Sequence, residues 1–255
     1  QVAESIQEAR SLTAAIGLPN IMVKVPGTRA GLSVLRQLIT EGINVNVTLL
    51  FSPQRYREVA QTYIQGLEDR LRQDQDIAQV RSVASFFISR IDTKVDGRVD
   101  KIAAANSAAK ALRGQAAVQG AKVAYALFRE LFFAERFKAL EHRGGRIQRL
   151  LWASTGTKDP AYSDVKYVEE LIAPQTINTL PPKTIDAFRD HGVVNPAIDD
   201  TGLQNAPEIL RQIEQAGIDL SGIYAELEDE GVKAFEASYL DLLRAIESKA
   251  KSLSA

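Results

Sequence analysis

A lysine interrupts an apolar stretch near the start of the chain. Residues 21–25, Ile-Met-Val-Lys-Val, have the composition of a short buried strand with an amine at Lys24. Desolvating an ammonium is costly, so a lysine inside such a strand is rare. Where burial holds it neutral, the amine is a nucleophile. It attacks a ketone to form an iminium, which serves as an electron sink for C–C cleavage. The ordinary alternatives are a lysine that snorkels to the strand end or pairs with a carboxylate. Residues 43–51 carry Asn44, Asn46 and Thr48 at alternate positions between Ile43, Val45, Val47 and Leu49. Alternate strand residues share a face, so the apolar set meets the surrounding helices and the polar set points inward with Lys24. The same alternation aligns Val83, Ser85 and Phe87 in a third stretch, and Leu150, Trp152 and Ser154 in a fourth. A buried amide or hydroxyl without a partner costs roughly 1–3 kcal/mol. Several on neighbouring strands therefore imply a closed hydrogen-bond network or a wet pocket.

Phosphate chemistry is suggested at two further points. Arg90 closes the third strand, where barrel enzymes build their sites. Lys158 follows Ser154, Thr155, Gly156 and Thr157 in a loop whose hydroxyls and glycine suit an anion. The commoner reading of Lys158 is a solvated loop charge. Asp159, Tyr162 and Asp164 read as turn and cap residues, and Trp152 more often belongs to a core than to a substrate platform.

These residues need elements to hold them. Residues 1–15 have helical periodicity, followed by a strand over 21–25, a helix over 29–40 capped by Thr28, and a strand over 43–51. Ser52-Pro53 caps a helix reaching about residue 72. A strand spans 82–89, and residues 90–101 read as a polar loop of alternating charge. Helices are expected over 103–112 and 116–142, strands over 149–154 and 176–180, and helices from 164 to 172 and 184 to 190. From Pro207 to about 252 the chain reads as helix with one break near Gly217. Strand and helix alternate five times, which predicts a parallel sheet with helices outside. The polar mid-strand residues favour a (β/α)8 barrel over a doubly wound sheet, and the whole of 1–255 reads as one domain.

Composition removes several classes. The chain has no cysteine, which excludes disulfides, thiol catalysis and cysteine metal sites. His142 and His191 read as exposed helix-end residues, so no metal site is expected. A formal net charge of -1 gives no long-range attraction for nucleic acid or anionic membrane. No apolar run approaches the ~18 residues of a membrane span. The beginning shows no export signal, and a cytoplasmic location is expected.

At these same positions the sequence resembles the transaldolase family. Residues 20–28, NIMVKVPGT, resemble its active-site lysine motif, and 41–52, EGINVNVTLLFS, the motif on the following strand. SFFISRID (85–92) resembles the strand that supplies a serine and an arginine. Residues 150–188 resemble the longer bacterial form. The resemblance implies a TIM barrel of the class I aldolase type. It makes Lys24 the Schiff-base lysine, Asn46 a partner of a substrate hydroxyl and Thr48 the holder of the catalytic water. It gives Ser85 and Arg90 to the donor, Arg90 to its phosphate, and places Ser154 and Lys158 among further phosphate contacts. The implied reaction moves a dihydroxyacetone unit from sedoheptulose 7-phosphate or fructose 6-phosphate to an aldose phosphate, in the pentose phosphate pathway, without a cofactor. The partners implied are sugar phosphates. The family's first three strands, with an aspartate, an asparagine and the acid/base glutamate, have no counterpart here. The barrel is therefore expected to be incomplete, with an N-terminal segment as a possible partner and little activity from this chain alone. No carboxylate is an obvious substitute for the glutamate; Asp92 and Asp164 are the ones to consider. Alternatives are an inactive fragment, half of a split barrel, or a related Schiff-base aldolase that releases free dihydroxyacetone.

Overall fold

Short apolar runs alternating with longer amphipathic ones fold as five strands, each followed by at least one helix. The computed structural model describes residues 2–103 and 107–253. Helix α1 (Val2–Ile16) leads into β1 (Val23–Pro26), α2 (Arg29–Thr40), β2 (Val45–Leu50), α3 (Pro53–Arg72), β3 (Ser82–Phe87) and α4 (Ser89–Ala103). A 3-10 turn (Ser107–Leu112), α5 (Ala116–Phe132) and α6 (Glu135–Glu141) precede β4 (Arg149–Ala153). Then come α7 (Lys166–Glu169), β5 (Thr176–Asn178), α8 (Pro182–His191), α9 (Asp200–Gln215) and α10 (Leu220–Leu253).

All strand pairs are parallel, in the spatial order β1-β2-β3-β4-β5. Right-handed crossovers between successive neighbours all step in one direction, which carries their helices to one face. A doubly wound sheet reverses direction partway and covers both faces. The strand order is therefore that of successive barrel strands and not of a doubly wound sheet, in agreement with the α/β fold and parallel sheet expected from the alternation. Among the described residues β1 and β5 are its edges.

The helix caps follow from local chemistry. The Thr28 hydroxyl accepts from the Gly31 N–H at 3.1 Å, and the Ser52 hydroxyl from the Arg55 N–H at 3.1 Å, with Pro53 at the first helical position. One face of α2 (Leu35, Leu38, Ile39) and one of α3 (Tyr56, Val59, Tyr63, Leu67) are buried with Val45, Val47 and Leu50 of β2 and Ala84 and Phe86 of β3 in one core.

Four expectations need correction. Residues 90–101 belong to α4, not to a loop. Ile91, Val95 and Val99 recur every fourth residue and are all buried, a helical stripe hidden among alternating charges. Of the helix expected over 103–112, residues 104–106 lie outside the described residues, and 107–112 form a 3-10 turn. The helix expected over 116–142 breaks between Phe132 and Glu135, where Ala134 is extended. In one unbroken helix Phe132 and Phe137 would point about 140° apart. The break lets both enter the core, where their rings meet at 4.9 Å. Finally, α9 starts at Asp200, whose preceding residue Asp199 caps it, and Pro207 lies inside it. Among the described residues no helix is long and apolar enough to cross a membrane.

Candidate active site

Strand register decides which side chains share the inner face. Lys24 lies beside Asn46, and Asn46 beside Val83; Pro26 lies beside Thr48. Ser85 is set beside Leu151, and Phe87 beside Ala153. Lys24, Asn46, Thr48, Ser85 and Phe87 thus share one face, as the alternation predicts. The fourth strand is out of phase with the expectation. Leu151 and Ala153, not Leu150 and Trp152, join the inner face. Trp152 faces the helices, edge-on to Phe86 at 6.3 Å, and its indole N–H donates to the Leu171 carbonyl at 3.0 Å. Alternation fixes facing only up to a one-residue shift, and from Leu150 to Ala153 the strand is apolar throughout; its one polar residue, Arg149, stands at its exposed start.

The motif around Lys24 shapes the turn that presents it. A Cβ at Gly31 would lie 1.8 Å from the Pro26 carbonyl oxygen, so α2 can close onto the end of β1 only with glycine there. The Gly27 N–H donates to the Thr48 carbonyl at 2.7 Å, which ties this turn to β2. In β2 the pairing shifts between Val47 and Leu50, and Leu49 has φ 61. This bulge re-aims the strand end beside Thr48, as bulges next to active sites do.

The Ser85 hydroxyl donates to Asn46 Oδ1 at 2.7 Å, which brings two of the expected residues into direct contact. Thr48 is buried, and its hydroxyl has no hydrogen-bond partner among the described residues. A bound water would satisfy it. Asn44 works elsewhere: its amide spans from the Pro19 carbonyl to the Arg81 N–H and joins the starts of β1 and β3.

Lys24 itself is exposed, against the expectation of a buried lysine. β1 pairs only with β2 among the described residues, so its inner face is bounded on one side. The lysine lines an open cleft of about 1030 Å³ between α1, the start of α2 and α10. Helix α10 crosses this face. It is anchored over α3 and α4 by Arg55–Glu228, Lys94–Glu226, Lys94–Glu230 and Arg98–Glu226 ion pairs. It passes Leu49 at Gly231, where a Cβ would meet the leucine at 2.8 Å, and brings Phe235 over the lysine and Glu236 into the same cleft. Nothing local in the sequence marks these two residues; only the helix's path does.

Arg90 stands in the first turn of α4, exposed, with its guanidinium 5.5 Å from the centre of the Phe87 ring. It has no carboxylate partner among the described residues. Ser154, in a left-handed conformation at φ 56, sits 3.0 Å from the Ser89 hydroxyl, next to Arg90. Ser154 therefore meets the start of α4 at the residue before Arg90. Lys158 is not brought there. It lines a separate cleft of about 290 Å³ with Asp92, Asp96, Asp100, Asp159 and Arg113, where four aspartates oppose rather than favour an anion.

Neither carboxylate considered as an acid/base faces Lys24's cleft. Asp164 is on the surface with His191 at 2.9 Å; His191 and His142 are both exposed helix-end residues, as read from the sequence. Asp92 is buried among helices, accepting from the Ala117 N–H and the Tyr167 hydroxyl, each at 2.8 Å. Burial pushes its carboxyl up from 3.8 to about 6, against the pull of those two donors. Because the folded value is raised, its contribution to stability is full below pH 3.8 and is lost as the pH rises through about 6. Asp92→Asn keeps an acceptor for Ala117 and an amide for the Tyr167 oxygen. The variant is expected to be more stable than the parent at pH 7 by roughly 1–3 kcal/mol, with the difference closing towards pH 4. Thermal midpoints measured from pH 4 to 8 check this; a variant less stable at pH 7 than at pH 4, relative to the parent, contradicts it.

The family profile described as Transaldolase/Fructose-6-phosphate aldolase matches residues 1–246. Proteins named transaldolase are similar over most of the chain. That of Mycobacterium tuberculosis (strain ATCC 25618 / H37Rv) is 47% identical over 242 residues, 94% of this chain and 64% of the relative. That of Mycobacterium marinum is 46% identical over 251 residues, 98% of this chain and 67% of the relative. That of Saccharopolyspora erythraea is 44% identical over 245 residues, 96% of this chain and 66% of the relative. The chain spans about two thirds of the length of these relatives. A profile match across residues 1–246, over a parallel sheet that sets Lys24, Asn46, Thr48 and Ser85 on one face, means that the chain belongs to the transaldolase family.

Proposed function

We propose that the protein is a transaldolase that moves a dihydroxyacetone unit from a ketose phosphate to an aldose phosphate through an iminium on Lys24. The observation that carries this is the family match over a face where Lys24 stands in register with Asn46, itself bonded to Ser85. The donor is sedoheptulose 7-phosphate or fructose 6-phosphate, as in the pentose phosphate pathway, and the reaction needs no cofactor. The neutral amine adds to the C2 carbonyl. The oxygen leaves as water with one proton from nitrogen and one from solution, and the nitrogen keeps the positive charge. The C3–C4 bond then breaks, its electrons flow to the nitrogen, and the C4 hydroxyl gives up its proton. Asn46 and Ser85 are assigned to the substrate hydroxyls, and the Thr48 hydroxyl to the water that relays the proton. Arg90 and Ser154 are assigned to the phosphate, at the first turn of α4, where the helix end favours an anion. The cleft of Lys158 is lined by aspartates, which weighs against a phosphate role for that residue. In the same reading residues 1–255 are one domain, part of a (β/α)8 barrel, and the free edge of β1 is where a further parallel strand would add.

Borohydride reduction in the presence of fructose 6-phosphate tests the chemistry: the label belongs on the peptide containing Lys24. Turnover that requires erythrose 4-phosphate marks a transaldolase, whereas release of free dihydroxyacetone without it marks an aldolase. For the phosphate, Arg90→Ala is expected to raise KM for phosphorylated donors about 10- to 100-fold, the value of one or two charge-assisted bonds. It should barely alter the weak use of unphosphorylated ketoses. An equal loss with both kinds of donor removes the phosphate assignment.

A further inference from the structure

The Nζ of Lys24 lies over the ring of Phe235, 5.4 Å from its centre. Phe235 is 43% exposed and sits about four turns into α10, more than two hundred residues from the lysine in sequence. The ring reaches the amine only because α10 crosses the inner face. It is held there by four ion pairs to α3 and α4 and by the close passage of Gly231 over Leu49. Among the described residues Lys24 has no ion-pair partner; Glu236 lines the same cleft, and the Phe235 ring is the group that lies over the amine.

We infer that Phe235 is a positioning residue for the Lys24 iminium, a ring from α10 whose face stabilises the cationic nitrogen. The inference rests on the Schiff-base reading of Lys24. The ring attracts cations, so it favours the iminium over the neutral carbinolamine from which it forms. The enamine left after C–C cleavage is uncharged and gains nothing from the ring. Phe235 therefore raises the standing amount of the iminium, the species that borohydride captures, and a leucine of similar bulk cannot replace it.

Two measurements on the full chain test this. In the first, lysines are converted to ¹³C-dimethyl-lysine, and the Lys24 signal is assigned with Lys24→Arg. The Lys24 methyls are expected to be shifted upfield by the ring current, and the shift should vanish in Phe235→Leu. No upfield shift in the parent overturns the inference without touching the Schiff-base reading. In the second, borohydride trapping with fructose 6-phosphate is quantified at Lys24. Phe235→Leu is expected to trap about 3- to 10-fold less iminium at equal substrate, and Phe235→Trp at least as much as the parent. A merely structural role would make both substitutions act alike, with matching losses of thermal stability. Equal trapping by the leucine and tryptophan variants overturns the inference. Absence of any label on Lys24 in the parent, with the ring-current shift present, overturns the Schiff-base reading and removes the role with it.

Discussion

Lys24→Met is expected to lower kcat by on the order of 10⁴-fold or more, the scale seen when a covalent nucleophile is removed. Methionine keeps the length and apolar stem but cannot form the C=N bond, so trapping with borohydride should disappear entirely. KM for fructose 6-phosphate should change little, because the phosphate is assigned to Arg90 and Ser154, at the ends of β3 and β4. Lys24→Arg should be equally inactive: a guanidinium stays protonated and forms no iminium with a ketone. Residual activity near the parent's in either variant, with label on another lysine, would falsify the assignment. Steady-state kinetics and peptide mapping of the reduced adduct decide between these outcomes.

Trp152→Ala is expected to cost about 3–5 kcal/mol of stability, which is the usual loss for a buried aromatic cut to a methyl. Trp152 is 1% exposed, packs edge-on against Phe86 and donates its indole N–H to the Leu171 carbonyl, which ties β4 to the turn after α7. For a chain of this size the thermal midpoint should fall by roughly 10 °C. Trp152→Phe refills most of the volume but leaves the Leu171 carbonyl without its donor, so an intermediate loss of about 1–3 kcal/mol is expected. Neither change should raise KM in the molecules that remain folded. A clear rise in KM with an unchanged midpoint would put the indole on the substrate side of the sheet, as its alternation with Ser154 suggests.

The two predictions separate what periodicity can and cannot decide. The apolar–polar alternation of β2 is enough to place Asn46 and Thr48 on the face of Lys24, because each inward residue is polar and each outward one is not. In β4 every residue from Leu150 to Ala153 is apolar and buried, so only pairing with β3 fixes which of them point inward. The α4 helix shows the opposite fault. Its buried stripe of Ile91, Val95 and Val99 is present in the sequence, but the charges between them resemble a loop, and the strand-end position of Arg90 draws attention away from the period.

By itself the sequence determined the α/β class, the five parallel strands, the caps at Thr28 and Ser52 and the inward set around Lys24. These depend on local propensity and on the facing of neighbouring residues, which short stretches of chain encode. Only the tertiary structure decided the rest. That Asn46 bonds Ser85, that Ser154 meets Ser89 beside Arg90, and that Lys158 lies among aspartates instead are consequences of strand register and loop paths. The exposure of Lys24 follows from its strand having a neighbour on one side only among the described residues. The approach of Phe235 depends on where a long helix crosses the sheet, and that crossing is set by ion pairs and a glycine contact about one to three turns back along the helix, with partners far from Lys24 in sequence. Contacts between distant parts of a chain are fixed by the packing of whole elements, and no local pattern records them.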